Sequence, residues 1–127
     1  DWQTDIESFQ EKMTEYAAAI LNHKQNSAFH LNFVLNVTPD CDCVGYTDSP
    51  VCPDIGILAS LDPVALDQAC LDLVNKAPLL GPERFDKGLI TEGNKFQALY
   101  PHIMVDYLLK YAEQKGIGSR EYELVKI

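Results

Sequence analysis

No lysine or arginine occurs between Lys24 and Lys76, although that stretch holds seven aspartates. Those seven uncompensated carboxylates supply −7 of the formal charge of −9, leaving −2 for the rest of the chain. Ten Lys and Arg in all, against nineteen Asp and Glu, leave too few clustered cations for a phosphate backbone. This excludes nucleic acid as a partner and disfavours anionic membrane surfaces. No apolar run approaches the roughly 20 residues that span a bilayer, and the acidic opening DWQTDIE is no signal peptide. A glycine-rich phosphate cradle is also missing, because Gly116-Ile117-Gly118-Ser119 follows a helical pattern instead of opening one. Four cysteines in 127 residues are sparse for a secreted disulfide scaffold, so a reducing, cytoplasmic setting is expected. The start at Asp1-Trp2 rather than Met implies a processed terminus or a piece of a longer polypeptide.

What is present suits one α/β domain over residues 1–127, with 46% apolar content for a single core. Thr4-x-x-Glu7 has the form of a capping box, and Ile6, Phe9, Met13, Tyr16, Ala17 and Ile20 recur at helical spacing, predicting a helix over 5–24. Period two then takes over. Phe29, Leu31, Phe33, Leu35 and Val37 alternate with His30, Asn32 and Asn36, predicting a half-exposed strand over 28–38. Residues 55–59 are continuously apolar, as in a strand covered on both faces. Asp62-Pro63 is a strong helix start, and Leu66, Ala69, Cys70, Leu73 and Val74 give the buried stripe of a helix over 63–76. Residues 77–98 read as irregular with one turn near Pro82. Pro101 is expected to open a last helix, which Gly116 stops, and residues 122–127 to close the sheet as a strand. The expectation is thus a small, few-stranded sheet packed with about three helices. Three strands make a small sheet, which an upstream portion of the same protein or a second subunit would complete.

The chemistry concentrates in residues 39–54, PDCDCVGYTDSPVCPD, with three cysteines, four aspartates and no cation. Crowded carboxylates and thiolates cost free energy unless they are solvated, protonated or neutralised by an ion. Cys41, Cys43 and Cys52 are spaced C-x-C-x8-C, which matches neither paired zinc knuckles nor a ferredoxin run. A tetrahedral site on them would take its fourth ligand from Asp54, Asp42 or His30, and thiolate mixed with carboxylate suits zinc or iron better than calcium. A solvated acidic loop without a metal, or a disulfide from Cys52 to Cys41 or Cys43, are the competing readings. Cys41 and Cys43 themselves are too close for an unstrained bridge. Nucleophilic catalysis by these thiols is disfavoured, since anionic neighbours oppose the thiolate.

Elsewhere the structural explanations suffice. Asp62 reads as a cap, although Ser60, Asp62 and Asp67 lie where a strand meets a helix, a place that can hold a small anion. Cys70 lies on an apolar stripe as core. His23 suits a helix C-terminus, and Tyr100, Tyr107, Tyr111 and Tyr122 read as packing or interface residues.

The segments PDCDC, PDIGILAS, DPVALDQACLDLV and GSREYEL resemble a family of uncharacterised iron-sulfur centre proteins, domains of unknown function often joined to a ferredoxin-like segment. The resemblance runs from about Asn32 onward and implies the C-terminal portion of such a protein. It centres on Asp40, Cys41, Asp42 and Cys43 with Asp54, because the position of Cys52 is aliphatic in the family pattern. The family's C-x-x-C-x-x-C motif for a 4Fe-4S cluster is absent here. The resemblance therefore implies an iron-sulfur- or metal-associated accessory domain with a possible redox partner, in which residues 39–54 line a cation site or abut a cluster held elsewhere. Two other readings stay open: part of an α/β enzyme whose remaining site residues lie upstream, and an interaction domain with a structural acidic loop.

Overall fold

A computed structural model describes residues 5–24, 27–41, 43, 45–46, 48–85 and 93–127. In chain order these form α1 (Ile6–Lys24), β1 (His30–Val34), β2 (Gly56–Ser60), α2 (Pro63–Lys76), a 3-10 turn (Pro82–Arg84), α3 (Lys95–Leu99) and α4 (Val105–Gln114). The strands pair antiparallel, with Leu31 opposite Ala59 and Phe33 opposite Ile57. The fold is therefore α/β, with a two-stranded sheet packed against helices on one side.

α2 starts where its residues dictate. Asp62 Oδ1 accepts hydrogen bonds from the Val64 and Ala65 N–H groups at 2.9 and 3.0 Å, and Pro63 sits where no amide donor is needed. Its stripe of Leu66, Ala69 and Val74 is buried. Val34, Val51, Cys52, Val74, Phe85 and Ala98 form the main core between the sheet, α2 and the segments after it. A smaller cluster of Val64, Leu109 and Ala112 joins α2 to α4.

Lys95 closes the other end of α2. Only 8% exposed, it donates from Nζ to the carbonyls of Val74 and Asn75 at 2.8 and 2.5 Å, while its own amide donates to Asn75 Oδ1. A cation on the last carbonyls of a helix satisfies acceptors that have no intrahelical donor.

Several expectations are corrected. Residues 122–127 are not a strand; they run past β2 and carry no ladder with it. The last helix begins at Val105 rather than Pro101, and a short helix, α3, forms within the expected irregular stretch, capped by Asn94 Oδ1 on the Gln97 N–H. The turn at Pro82 is present. Thr4 of the proposed capping box lies outside the described residues.

The larger correction concerns orientation. Asn32 Nδ2 donates to Asp67 Oδ1 on α2 at 2.8 Å, so the polar face of β1 meets the helix and the apolar face points away. Phe29, Leu31, Phe33, Leu35 and Ile57 are all exposed, and β2 is consequently not covered on both faces. α1 is likewise inverted: Gln10, Thr14 and Ala18 are buried, whereas Phe9, Met13, Tyr16 and Ile20 face out. Its inward side is tied to α4 by Tyr107 and Tyr111, whose hydroxyls donate to Glu11 at 2.6 Å and Glu15 at 2.9 Å, and by the Lys115–Glu15 ion pair at 3.1 Å.

Candidate functional site in the acidic cysteine loop

The loop between β1 and β2 is held by backbone pairing well beyond the strands. The Ile55 N–H donates to the Val34 carbonyl at 2.9 Å, the Asn36 N–H to Asp54 Oδ1 at 2.7 Å, and the Val51 N–H to the Val37 carbonyl at 2.8 Å. Asn36 adopts a φ of 49°, a left-handed conformation that Asn tolerates better than most side chains. On its other side, the Val51 carbonyl accepts from the Leu80 N–H at 2.8 Å. Both arms of the loop are thereby fixed, and its tip spans roughly residues 38–50.

Arg84 supplies the missing counterion. Its guanidinium donates to the carbonyls of Ser49, Pro50 and Leu80 at 2.5, 2.7 and 3.1 Å and lies 3.7 Å from the Asp48 carboxylate. Its planar fork spreads donors over several carbonyls in a fixed geometry that a lysine's compact ammonium does not reproduce. The second anchor is Tyr100, whose hydroxyl donates to the Asp40 carboxylate. That hydrogen bond, with some desolvation, pushes the Tyr100 phenol up to about 12, since ionising it would place two anions together.

The expected ligands separate into distinct environments. Cys41 and Cys43 are exposed on the loop tip. Cys52 is 1% exposed within the main core, where burial pushes its thiol pKa up; Lys95 pulls it back and Asp54 adds to the rise. It is a neutral, packed thiol. Asp54 accepts from Asn36 and Asp40 from Tyr100, so both carboxylates have protein donors. His30 stands at the far end of β1, about 13 Å of strand from Val34 at the usual rise. Asp42 lies outside the described residues. Among the described residues, no group of three or more His, Cys, Asp and Glu side chains is gathered closely enough to hold a metal ion. No disulfide joins any of the four cysteines. Cys70, half-buried on α2, receives a 3.4 Å contact from Asn32 Nδ2, and burial raises its thiol pKa.

Two positioning residues, Arg84 and Lys95, escape a reading of the loop alone because they lie 30 or more positions beyond its tip. The only sequence signal was Pro82, which marks the turn that carries Arg84. At the anion position considered near Ser60, the Asp62 carboxylate is committed to capping α2 and also accepts from the Ser119 N–H at 2.8 Å.

As an arrangement, the loop offers two exposed thiols on a platform whose base is packed into the core. Such a pair can contribute soft ligands to a thiophilic cation without enclosing it.

Comparison with known proteins places residues 1–72 under the family model described as a domain of unknown function, DUF362. The match covers α1, both strands, the whole acidic loop and the first part of α2. No curated protein and no solved structure matches the chain.

Proposed function

The chain belongs to the DUF362 family, a domain of unknown function, and on that footing we propose that it is an accessory α/β module. In this reading it presents Cys41 and Cys43 as thiolate ligands to a zinc or iron ion, or beside an iron-sulfur cluster, with the remaining ligands supplied from outside residues 39–54. The observation that carries this reading is the contrast among the three loop cysteines: two exposed at a tip whose arms are fixed, one sealed in the core. This reading requires ligands from elsewhere, because among the described residues no three His, Cys, Asp or Glu side chains are gathered closely enough to hold a metal ion.

Titration with cobalt(II), a spectroscopic stand-in for zinc, tests it. Thiolate-to-cobalt charge-transfer absorption is expected in the near ultraviolet, lost in Cys41→Ser, Cys43→Ser, and retained in a folded Cys52→Ala variant. Metal content after anaerobic purification without chelator should follow the same pattern. Absence of the band in wild type, together with no bound metal, would refute the reading.

A second reading, an interaction domain with a purely structural loop, is favoured by Arg84, which neutralises Asp48 and fastens the loop without any metal. The same titration separates the two.

A further inference from the structure

We infer that the open edge of β1 docks an extended segment of a partner polypeptide, which joins the sheet as a third strand. Among the described residues β1 pairs with β2 alone. The outer edge of β2 is flanked by residues 122–127, whereas a cleft of about 480 Å³ lies beside β1. Leu31, Asn32, Phe33 and Val34 line that cleft in succession, and no residue of β2 does. Successive side chains of a strand point to opposite faces, so a cleft lined by four in a row runs along the edge of the strand and not over one face.

Backbone chemistry names the occupant. The Val34 carbonyl accepts from the Ile55 N–H and so points to the β2 side. A strand turns the backbone groups of successive residues to opposite edges, so Asn32 shares that side while Leu31 and Phe33 turn their N–H and C=O groups to the cleft. Two donors and two acceptors at strand spacing are matched by another extended backbone, about 4.8 Å away.

The side chains state what that segment carries. The cleft is apolar across from β1, where Cys70, Leu71 and Val74 of α2, Phe96 of α3, and Leu108 and Leu109 of α4 line it. An added strand lays every second side chain against such a wall, so the segment is apolar at alternate positions. Asp67 is the one charged residue in the lining among the described residues, and the whole chain carries −9. A lysine or arginine on the segment suits that rim, and a second copy, bringing another −9, does not. Gln10 of α1 also lines the cleft with an unmet acceptor. It is 6% exposed, its Nε2 donates to the Met104 carbonyl at 3.2 Å, and its Oε1 has no donor among the described residues. A buried acceptor in that state is costly, and a donor brought in by the segment would relieve it. No described residue of 39–54 lines the cleft, so docking there stands or falls separately from the metal reading.

Amide exchange on the intact chain, followed by NMR, is the test. Without any partner, Leu31 and Phe33 are expected to exchange at least about 100-fold faster than Asn32 and Val34, which the ladder protects. The probe is an acetylated heptapeptide in which isoleucine alternates with lysine and threonine. Its addition should slow exchange at Leu31 and Phe33 at least about tenfold, and Asp67→Lys should weaken its binding by a similar factor. N-methylating one alternate set of its amides should abolish binding, and methylating the other set should leave it within about threefold, because only one set faces β1. Protection of Leu31 and Phe33 in dilute protein without peptide would overturn the proposal. Protection that grows with protein concentration would overturn it in favour of a second copy as the occupant. No binding of the unmethylated peptide at about 1 mM, binding unchanged in Asp67→Lys, or equal loss from both methylated sets would refute it too.

Discussion

Replacing Asp62 with alanine is expected to lower the unfolding free energy by about 3 kcal/mol, read from urea denaturation. One carboxylate serves three backbone donors: Oδ1 accepts from Val64 and Ala65 at the start of α2, and Oδ2 from Ser119 beyond the end of α4. Removing a helix cap costs about 1–2 kcal/mol, and orphaning a further partly buried amide adds about 1–2 kcal/mol. The same junction makes Gly118 hard to replace. A Cβ there would collide with Asp62 Oδ1 and lie 2.9 Å from Val64 Cγ2, so Gly118→Ala should push the cap aside and destabilise by about 2 kcal/mol or more. Because both changes strike one cap, the double variant should lose clearly less than the sum of the two. Full additivity would show that the cap and the glycine act separately.

Arg84→Ala is expected to cost about 3 kcal/mol as well, with a distinct chemical signature. Hydrogen bonds from a charged donor contribute about 1.5–3 kcal/mol each when buried, and the partial exposure of the three carbonyls here reduces that. The loop's return arm carries Val51 and Cys52, the two most buried side chains of the core, so freeing Ser49 and Pro50 should let this arm open. A thiol-labelling reagent should therefore modify Cys41 and Cys43 quickly in wild type and Cys52 only slowly, whereas in Arg84→Ala the Cys52 rate should rise at least about tenfold. Arg84→Lys should restore little, because a compact ammonium lacks the width of the guanidinium fork, whose two terminal nitrogens reach separate carbonyls. An unchanged Cys52 rate in a destabilised variant would mean that the arm is held by core packing alone.

The residues that were legible in the sequence are those whose local chemistry settles their conformation. Asp62-Pro63 marks the start of α2 without reference to anything distant, and α1 follows from its periodicity. Orientation was not legible in the same way. Period two groups Leu31 with Phe33, and period 3.6 groups Phe9 with Met13, but neither period states which side meets the core. Here Asn32 turns inward to Asp67 and the hydrocarbon turns outward, a choice made by α2 and not by β1 itself. Residues 122–127 have strand-forming composition, yet an extended segment becomes a strand only when a neighbour completes its ladder. The short α3 depends on Lys95 reaching back to α2, a contact between positions 20 apart that no local window contains.

For the acidic loop, composition marked a segment without a cation of its own, and the nearest one in space is Arg84, 3.7 Å from Asp48. Counting the nearest cations along the chain could not locate Arg84, because the turn at Pro82–Arg84 folds it back across the loop. The division of the cysteines was hidden from spacing. Spacing alone does not divide Cys41, Cys43 and Cys52, although the family resemblance set Cys52 apart; in the fold, the pairing of Val51 with Val37 and Leu80 draws it into the interior.

Because α1 buries only Gln10, Thr14 and Ala18, and apart from the Gln10 amide on the Met104 carbonyl is tied to α4 by phenol hydroxyls and a lysine on surface carboxylates, much of its attachment draws on interactions that water competes for directly. It should therefore behave as the protein's least cooperative unit, swinging away and returning while the sheet and α2 stay folded, with amide exchange in residues 6–24 outpacing that of residues 63–76. Each such excursion would uncover Leu108 and Leu109 on α4, giving the domain a transient second greasy surface of its own.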